Sequence, residues 1–287
     1  MACSYVMFTD SACDILPDKL REWGVELICM PYLFTDDGIG KLDHDQDNHE
    51  FYEEMRAGRI AKTSSLNEDV YFKSFEPVLQ EGKDILYLAF SSGLSITYEH
   101  GRNAAEELSR RYPDRKIRVV DTLAASAGEG LMVYLSVLNR EKGMTLDENA
   151  DAIEADKLHL CHWFTVEDLK YLKRGGRISA ATALLGTALN VKPVLHVDDE
   201  GKLIKITQVH GRKKSLRTMA EMLQKTIYDD TPIFISHGDS LEDAETLKAI
   251  IEKETNHKVT LITGIGSVIG AHSGPGTIAL FFRGTRR

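Results

Sequence analysis

The sequence predicts an α/β protein of two domains, and three observations lead to this prediction. Apolar strand-like runs alternate with helical segments through the first half of the chain, which is the pattern of a parallel sheet covered by helices on both faces. The second half contains a hairpin among its strands, which indicates a smaller mixed sheet. The length of 287 residues exceeds that of most single compact domains.

The first predicted domain spans residues 1–157 and includes a small insertion around residues 25–60. Strands are expected at "SYVMFTD", "VELICMPYLF", "DILYLAF" and "KIRVVDT". The helices between and after them begin with "LPDKLREWG", which has a proline in its first turn and a glycine at its end. They continue with "NHEFYEEMRAG", a helix after "KTSS" for which Ser64 or Ser65 is the expected N-cap, "LSITYEHGRNAAEELSRRY", "GLMVYLSVLNREKG" and "TLDENADAIEADK".

The second predicted domain spans residues 158–287. It opens with a strand, "LHLCHWFTV", and a short helix closed by two glycines, "EDLKYLKRGG". A helix of small residues, "ISAATALLGTALN", leads into a hairpin that turns at Asp199 to Gly201. A helix over 212–227, a strand "TPIFISH", a helix over 240–254, a strand "HKVTLITG" and a last strand "TIALFF" complete the order.

Charge and composition exclude some classes of function. The net charge of −9 and the pI near 5.6 argue against a nucleic-acid-binding protein, which needs basic patches. The dense basic stretch "GRKKSLR" is interpreted as the solvated start of an amphipathic helix. No apolar run reaches the ~18 to 20 residues of a membrane span, and the N-terminus lacks the features of a signal peptide. We therefore expect a cytoplasmic protein.

The cysteines and the histidines beside one of them do not favour a metal site. The four cysteines are irregularly spaced, and reduced thiols are the simplest interpretation. His159, Cys161 and His162 could bind a metal, but they lie in a strand-like run. Alternate residues of a strand face opposite sides, so these three side chains are not expected to converge.

Three polar loops are expected after apolar elements: "TSSL" at 63–66, "SSGLS" at 91–95 and "GAHSGPG" at 270–276. Ligands of open α/β sheets bind outside the carboxyl ends of the strands, where the serines of "SSGLS" should lie. Gly93 would allow close backbone approach, and the following helix would offer unpaired N–H groups. These segments together predict a site for an anion or a carboxylate.

The residues leave other functions open. Ser92 could be the nucleophile of a hydrolase that acts on acyl esters or acyl phosphates, with His272 as base and Asp10 or Asp121 orienting it. However, "FSSGL" retains only half of the G-x-S-x-G elbow. Ser91 and Ser92 could also simply cap a helix. The chain contains neither a P-loop motif nor a dinucleotide-binding G-x-G-x-x-G, so it lacks the phosphate-binding equipment of a nucleotide site.

The polar segments and their surroundings resemble the DegV family of fatty-acid-binding proteins. The resemblance covers nearly the whole chain. Its motifs are "FTDSACDILP", "KTSSLNEDVYFKSF", "LAFSSGLSITY", "VVDTLAASAGEG", "FTVEDLKYLKRGGRIS", "ALNVKPVLHVDDEGKL" and "IGSVIGAHSGPGTIALFF". Two positions depart from the usual pattern: Ile96 stands where the second glycine of S-G-L-S-G-T is expected, and Ala271 replaces the usual threonine before the histidine.

The resemblance implies a lipid carrier without catalytic residues or a cofactor of its own. It implies two α/β domains that bury an acyl chain, such as that of palmitate or oleate, between and within them. The carboxylate would be held by Thr63, by Ser92 with Ser91 behind it, and by His272. On this reading the serines bind their ligand and do not attack it.

The resemblance also implies a partner. Some family members are lipid-carrying subunits of a bacterial fatty-acid kinase, in which a separate ATP-binding subunit phosphorylates the bound acid for phospholipid synthesis. Arg177 and Arg212 are candidates for the cavity mouth or for docking of such a subunit. Transient contact with a membrane is compatible with this role.

Overall fold

The strands form three sheets in the computed structural model, which describes residues 5–179, 190–228, 231–285 and 287. The first sheet is parallel, with the order β2-β1-β6-β7. Its strands are β1 (Tyr5–Asp10), β2 (Val25–Ile28), β6 (Asp84–Ala89) and β7 (Ile117–Asp121). The residues Ile85 to Ala89 of β6 are all buried, because helices cover both faces of this sheet.

The second sheet is mixed and has the order β10-β9-β8-β13-β11-β12. Neighbouring strands run antiparallel except for the parallel pair β11 and β12. Its strands are β8 (Leu160–Thr165), β9 (Val191–Val197), β10 (Leu203–His210), β11 (Phe234–His237), β12 (Leu261–Gly264) and β13 (Ile278–Arg283). The predicted hairpin is confirmed as β9 and β10, which turn over residues 198–202.

A small antiparallel sheet of the order β4-β3-β5 lies within the first half of the chain. Its strands are β3 (Pro31–Phe34), β4 (Gly40–Leu42) and β5 (Ala61–Thr63). The sequence predicted one strand over "VELICMPYLF", and this prediction is wrong. The chain leaves the parallel sheet after Ile28, because the Met30 N–H donates to Ser11 Oγ and Pro31 has no N–H to continue the ladder.

The helices are labelled in chain order over the described residues. They are α1 (Pro17–Glu22), α2 (Asn48–Arg56), α3 (Glu68–Gln80), α4 (Thr97–Arg111), α5 (Ala127–Glu141), α6 (Leu146–Asp156), α7 (Lys170–Arg174), α8 (Arg212–Thr226), α9 (Leu241–Glu254) and α10 (Ser267–Ser273). Among them, no helix is both long and apolar enough to cross a bilayer. The helix predicted over "ISAATALLGTALN" falls mostly at residues 180–189, which lie outside the described residues.

Two predictions about helix boundaries are wrong. The N-cap of α3 is Asn67, whose side chain accepts the Val70 N–H, and neither Ser64 nor Ser65 has that role. The segment "GAHSGPG" is not a loop throughout, because its first four residues belong to α10. This short helix ends at Gly274, whose φ of 82° suits glycine.

The two large sheets share one hydrophobic core. This core contains Leu86 and Leu88 of β6 together with Phe164 of β8 and Phe281 of β13. Helix α5 packs against β6 as well as β8, β11 and β13, so it lies between the parallel and the mixed sheet. The predicted domain boundary near residue 157 stays a prediction, since the core is continuous across it.

Candidate functional site

A cavity of about 750 Å³ opens where the three sheets meet. This volume lies within the range of small-molecule sites in proteins. Most of its wall is apolar, and both halves of the chain contribute to that wall. The apolar lining consists of Met30, Phe90, Leu94, Ile96, Ala125, Phe164, Leu172, Ile178, Val197, Leu203, Ile265, Val268, Ile269, Ala279 and Phe281.

Three of the predicted carboxylate ligands line this cavity, and we call Thr63, Ser92 and His272 the polar edge. Thr63 ends β5 and His272 lies on α10, two elements that pack against each other. The Thr63 Oγ1 lies 2.8 Å from the His272 Nε2, although 209 residues separate the two side chains in the sequence. The fold therefore pairs a hydroxyl with an imidazole at the cavity wall.

The imidazole of His272 is neutral at neutral pH. Burial lowers the pKa of His272 to about 4, and the positive charge of Arg177 lowers it further. The Nδ1 atom is buried and has no hydrogen-bond partner among the residues that the structure describes. It faces Gly175, where an added Cβ would lie 2.1 Å from Nδ1. The ring thus fits only because residue 175 is a glycine.

The same contacts assign the proton of this imidazole. A buried N–H without an acceptor is rarer in proteins than an acceptor without a donor, so we place the proton on Nε2 of His272 and not on Nδ1. Nε2 then donates to Thr63 Oγ1. The hydroxyl proton of Thr63 remains available to a ligand, which suits an anionic oxygen.

The paired serines have different positions. Ser92 is exposed and lines the cavity, while its N–H donates to Asp121 Oδ1. Ser91 is fully buried and does not contact the cavity. Its Oγ donates to the Gly201 carbonyl at 2.9 Å and accepts the Gly93 N–H at 3.1 Å. Ser91 therefore stabilises the turn that presents Ser92.

Gly93 is needed for a contact within the protein. The sequence suggested that Gly93 allows a ligand to approach the backbone. In the structure an added Cβ at this position would lie 2.4 Å from the Glu200 carbonyl oxygen, and the Gly201 backbone is also within 3 Å. The backbone that approaches is the turn between β9 and β10.

The helix after the serines begins later than the sequence suggested. Helix α4 starts at Thr97, and the Ser95 Oγ accepts the Thr97 N–H. The N–H groups of Leu94 and Ser95 already donate to the Ser91 carbonyl. The polar edge thus relies on side-chain hydroxyls and the imidazole, and the first turn of α4 lies five residues beyond Ser92.

The structure does not support the hydrolase alternative. The His272 Nε2 faces Thr63, and no hydrogen bond links it to Ser92 within the described residues. The Asp10 carboxylate accepts hydrogen bonds from Tyr87 and from the backbone of Ala12 and Phe90. The Asp121 carboxylate accepts the N–H groups of Ser92 and Leu123. Neither carboxylate orients an imidazole.

The two predicted docking arginines are both partly buried and differ in their contacts. Arg177 lines the cavity and donates to the Gly175 carbonyl. Arg212 is not the exposed residue that the sequence predicted, since its side chain is only 17% exposed. Its guanidinium donates to Asp243 Oδ2 at 2.9 Å and also to the Gly276 carbonyl, so it fixes the loop after α10. The neighbouring Lys213 and Lys214 are exposed.

Sequence reasoning missed several polar residues of the cavity, including His162. His162 lines the cavity, whereas Cys161 faces the opposite side of β8 and packs in another core cluster. The Nδ1 of His159 lies near the Gly284 carbonyl and the Tyr228 hydroxyl. These three residues therefore do not form a common metal site. The alternation of β8, in which His162 and Phe164 share a face, was the signal that could have placed His162 in the cavity.

Curated relatives match over the full chain. The family model of the DegV family, described as uncharacterised proteins, matches residues 4–285. A DegV domain-containing protein of Clostridium perfringens is 42% identical over 285 residues, covering 98% of this chain and 97% of the relative. A DegV domain-containing protein of Streptococcus pyogenes is 34% identical over 286 residues, covering 98% of both chains.

Solved structures also match this chain over nearly its whole length. A fatty-acid-binding DegV family protein of Thermus thermophilus has a TM-score of 0.87 and 27% identity, with coverage of 98% of this chain and 99% of the other. A stearic-acid-binding protein of Eubacterium ventriosum has a TM-score of 0.89 and 25% identity, with 98% of both chains covered. The fold, the polar edge and these comparisons lead to one conclusion: the chain belongs to the DegV family.

Proposed function

We propose that this protein binds one long-chain fatty acid, with the acyl chain in the cavity and the carboxylate at the polar edge. The observation that carries the proposal is the Thr63–His272 pair at the wall of a cavity that is mostly apolar. The Thermus and Eubacterium structures, described as binding fatty acid and stearic acid, support the same ligand class. Each buried methylene would contribute about 0.8 kcal/mol before the costs of association.

The polar edge would hold the carboxylate by hydrogen bonds more than by ion pairing. His272 is neutral, and the hydroxyls of Thr63 and Ser92 are donors of ordinary strength. A carboxylate held in this way stays close to its ordinary reactivity. Because Ser92 is exposed, the carboxyl end of the ligand would face the opening of the cavity and the methyl end its interior.

A further part of the proposal concerns the fate of the ligand. The protein would present the carboxylate to a separate ATP-binding kinase subunit, which phosphorylates it to an acyl phosphate for phospholipid synthesis. The exposed position of Ser92 and the missing P-loop motif support a catalytic site on a partner. The proposal implies a cytoplasmic location, where such a kinase has access to ATP.

Lipid analysis and a hydroxyl variant test the binding proposal. Organic extraction and mass spectrometry of freshly purified protein should find about one C14 to C18 acid per chain. Thr63→Val removes the hydroxyl but keeps the shape, so the affinity of delipidated protein for oleate and palmitate should fall about tenfold in calorimetric titration. Thr226→Val is the control, because its hydroxyl bonds to the Met222 carbonyl of its own helix.

Two results would contradict the binding proposal. One is a repeated absence of lipid together with no uptake of oleate or palmitate by the wild-type protein. The other is wild-type hydrolysis of acyl esters with burst kinetics that Ser92→Ala abolishes, which would restore the hydrolase alternative.

Arg177 tests the partner proposal. Arg177→Gln should leave lipid occupancy nearly unchanged, while acyl phosphate formation with a cognate ATP-binding subunit falls several-fold. High salt should lower acyl phosphate formation more in the wild type than in Arg177→Gln, since salt screens a charge contact that the variant lacks. Lys213→Gln is the control on an exposed lysine of α8. Equal loss of lipid and of phosphorylation in Arg177→Gln would show that Arg177 holds the ligand or the fold and does not dock a partner.

A further inference from the structure

The buried lining of the cavity contains polar side chains besides the polar edge, and one of them is a histidine. His162 is 1% exposed and lines the cavity from the middle of β8. Its strand partner is Phe281 of β13, whose ring meets the imidazole edge to face at 5.5 Å between centroids. Leu160 and Phe164 flank it on the same face of β8. An imidazole thus stands in a wall made of apolar side chains.

His162 lies deeper than the polar edge. Thr165, the last residue of β8, pairs with Ile278, which follows the segment that carries His272. His162 is three residues further along the strand, a distance of about 10 Å. His162 is also more deeply buried than Thr63, Ser92 and His272, so a fatty acid whose carboxylate occupies the polar edge would meet His162 with its chain.

Neither ring nitrogen of His162 makes a hydrogen bond of ordinary geometry within the described part of the chain, although the Leu160 carbonyl lies near the ring. Burial lowers the pKa of His162 well below its ordinary value, and Arg287 and His196 lower it further, while the Leu160 carbonyl opposes them. The ring is therefore neutral, with one N–H donor and one acceptor lone pair. Buried polar groups normally have partners, so this ring calls for one that the described residues do not supply.

The fold accommodates this imidazole by placing a glycine beside it. Gly128 of α5 lies so close that an added Cβ would be 2.5 Å from the His162 Nε2. A leucine or valine on β8 would complete the apolar wall without an unpartnered nitrogen. A straight saturated chain satisfies neither nitrogen of His162, whereas a hydroxyl on the chain can donate to one or accept from the other.

We infer that the cavity takes long-chain acids bearing a mid-chain hydroxyl, and that His162 is the residue that recognises the hydroxyl. This inference rests on the proposed function and narrows its ligand class. His162 sets the preference between acids of the same length, and the polar edge supplies the common carboxylate contact. The preference arises because the hydroxyl regains inside the cavity the hydrogen bond that it loses in water.

Calorimetric titration of delipidated protein tests the inference with octadecanoic, 10-hydroxyoctadecanoic and 12-hydroxyoctadecanoic acids. For each variant the quantity compared is the dissociation constant of octadecanoic acid divided by that of a hydroxy acid. His162→Leu should lower this ratio about fivefold to tenfold for at least one hydroxy isomer. His162→Gln, which keeps a donor and an acceptor, should retain much of the ratio.

Phe164→Leu is the matched control. Phe164 lines the same cavity from the same face of β8 but offers no polar group, so its truncation should change the affinities for all three acids together. Thermal unfolding of each variant confirms that the ratio is measured on folded protein.

Three outcomes would overturn the inference. Equal ratios in the wild type and His162→Leu would show that the imidazole finds its partner in buried water and not in the ligand. If His162→Leu weakens the affinity for all three acids equally, His162 only lines the cavity and does not select the hydroxyl. Failure of the wild type to bind even octadecanoic acid would refute the proposed function as well, whereas normal octadecanoate binding with unchanged ratios refutes this inference alone.

Discussion

At the scale of single residues, burial decides the charge of His272 and so the acid response of the polar edge. The pKa of a histidine in the unfolded chain is about 6.5, whereas burial lowers the pKa of His272 to about 4. Between these values the unfolded state binds a proton that the folded state does not. This residue therefore contributes stability above pH 6.5 that is lost as the pH falls towards 4.

Replacing His272 should make the protein less sensitive to acid. The free energy of unfolding of His272→Gln, measured with urea between pH 4 and 7, should fall less steeply than that of the wild type. The difference should reach up to about 3 kcal/mol at the acid end. Asp10 works in the opposite direction, because burial raises its pKa to about 6 and favours the folded state as the pH falls. Asp10 is common to both proteins, so it cancels in the difference.

Parallel pH profiles for the wild type and His272→Gln would contradict this account of His272. They would mean that its imidazole keeps an ordinary pKa, and the neutral-imidazole description of the polar edge would fail with it.

At the scale of elements, the N–H groups at the start of helix α10 donate to aspartate side chains from distant parts of the chain. The Gly266 N–H donates to Asp14 Oδ1 at 2.8 Å, and the Ser267 N–H donates to Asp43 Oδ1 at 2.9 Å. These two acceptors take the place of an N-cap side chain. Since His272 is on this helix, Asp14 and Asp43 also position the polar edge.

Removing one of these acceptors should destabilise the protein. Asp43→Ala deprives the buried Ser267 of an acceptor for both its N–H and its Oγ. We expect the free energy of unfolding in urea to fall by about 1 to 3 kcal/mol and the affinity for oleate to fall as well. Asp114→Ala, at an exposed turn position, should stay within about 0.5 kcal/mol of the wild type. A similar small effect of Asp43→Ala would show that α10 forms without this acceptor.

The elements also show what local sequence could predict. The strands β1, β6 and β7 and the hairpin of β9 and β10 follow from local apolar patterns, which is why they were predicted. The break between β2 and β3 and the start of α10 depend on Ser11, Asp14 and Asp43, which are distant in sequence. A local sequence pattern does not show which distant side chain accepts a backbone N–H, so these boundaries could not be predicted.

The candidate site was predictable to a similar extent. Residue types and turn context identified the three polar segments, and the resemblance to the DegV family singled out Thr63, Ser92 and His272 within them. They could not show that Gly93 and Ser91 face the turn after β9, or that Arg212 is tied to Asp243. Those assignments depend on which backbone segment approaches each residue, and that is decided by the tertiary fold.

At the scale of the whole molecule, the turn between β9 and β10 joins the mixed sheet to the end of the parallel sheet. An added Cβ at Gly201 would lie 2.2 Å from the Ser91 Oγ, and one at Gly93 would lie 2.4 Å from the Glu200 carbonyl oxygen. Two glycines and one serine thus allow the halves of the chain to meet beside the cavity.

Gly93→Ala should loosen this contact. The new methyl group would overlap with backbone atoms that cannot rotate away, so the free energy of unfolding should fall by about 1 to 3 kcal/mol. Gly40→Ala is the control, because a Cβ at Gly40 meets nothing within 4 Å. Unfolding in urea measures both variants. Equal stability of the two would mean that the turn shifts at no cost and does not join the halves.

The position of β13 in its sheet has a consequence for protein synthesis. This strand follows every other described strand in the chain, yet it lies between β8 and β11 in the mixed sheet. It also supplies Ala279 and Phe281 to the cavity wall. Both β8 and β11 pair with β13. During translation these pairings cannot form until residues 278–283 leave the ribosome. On the proposed function, the cavity can take up a fatty acid only after residues 278–283 have emerged and completed its wall.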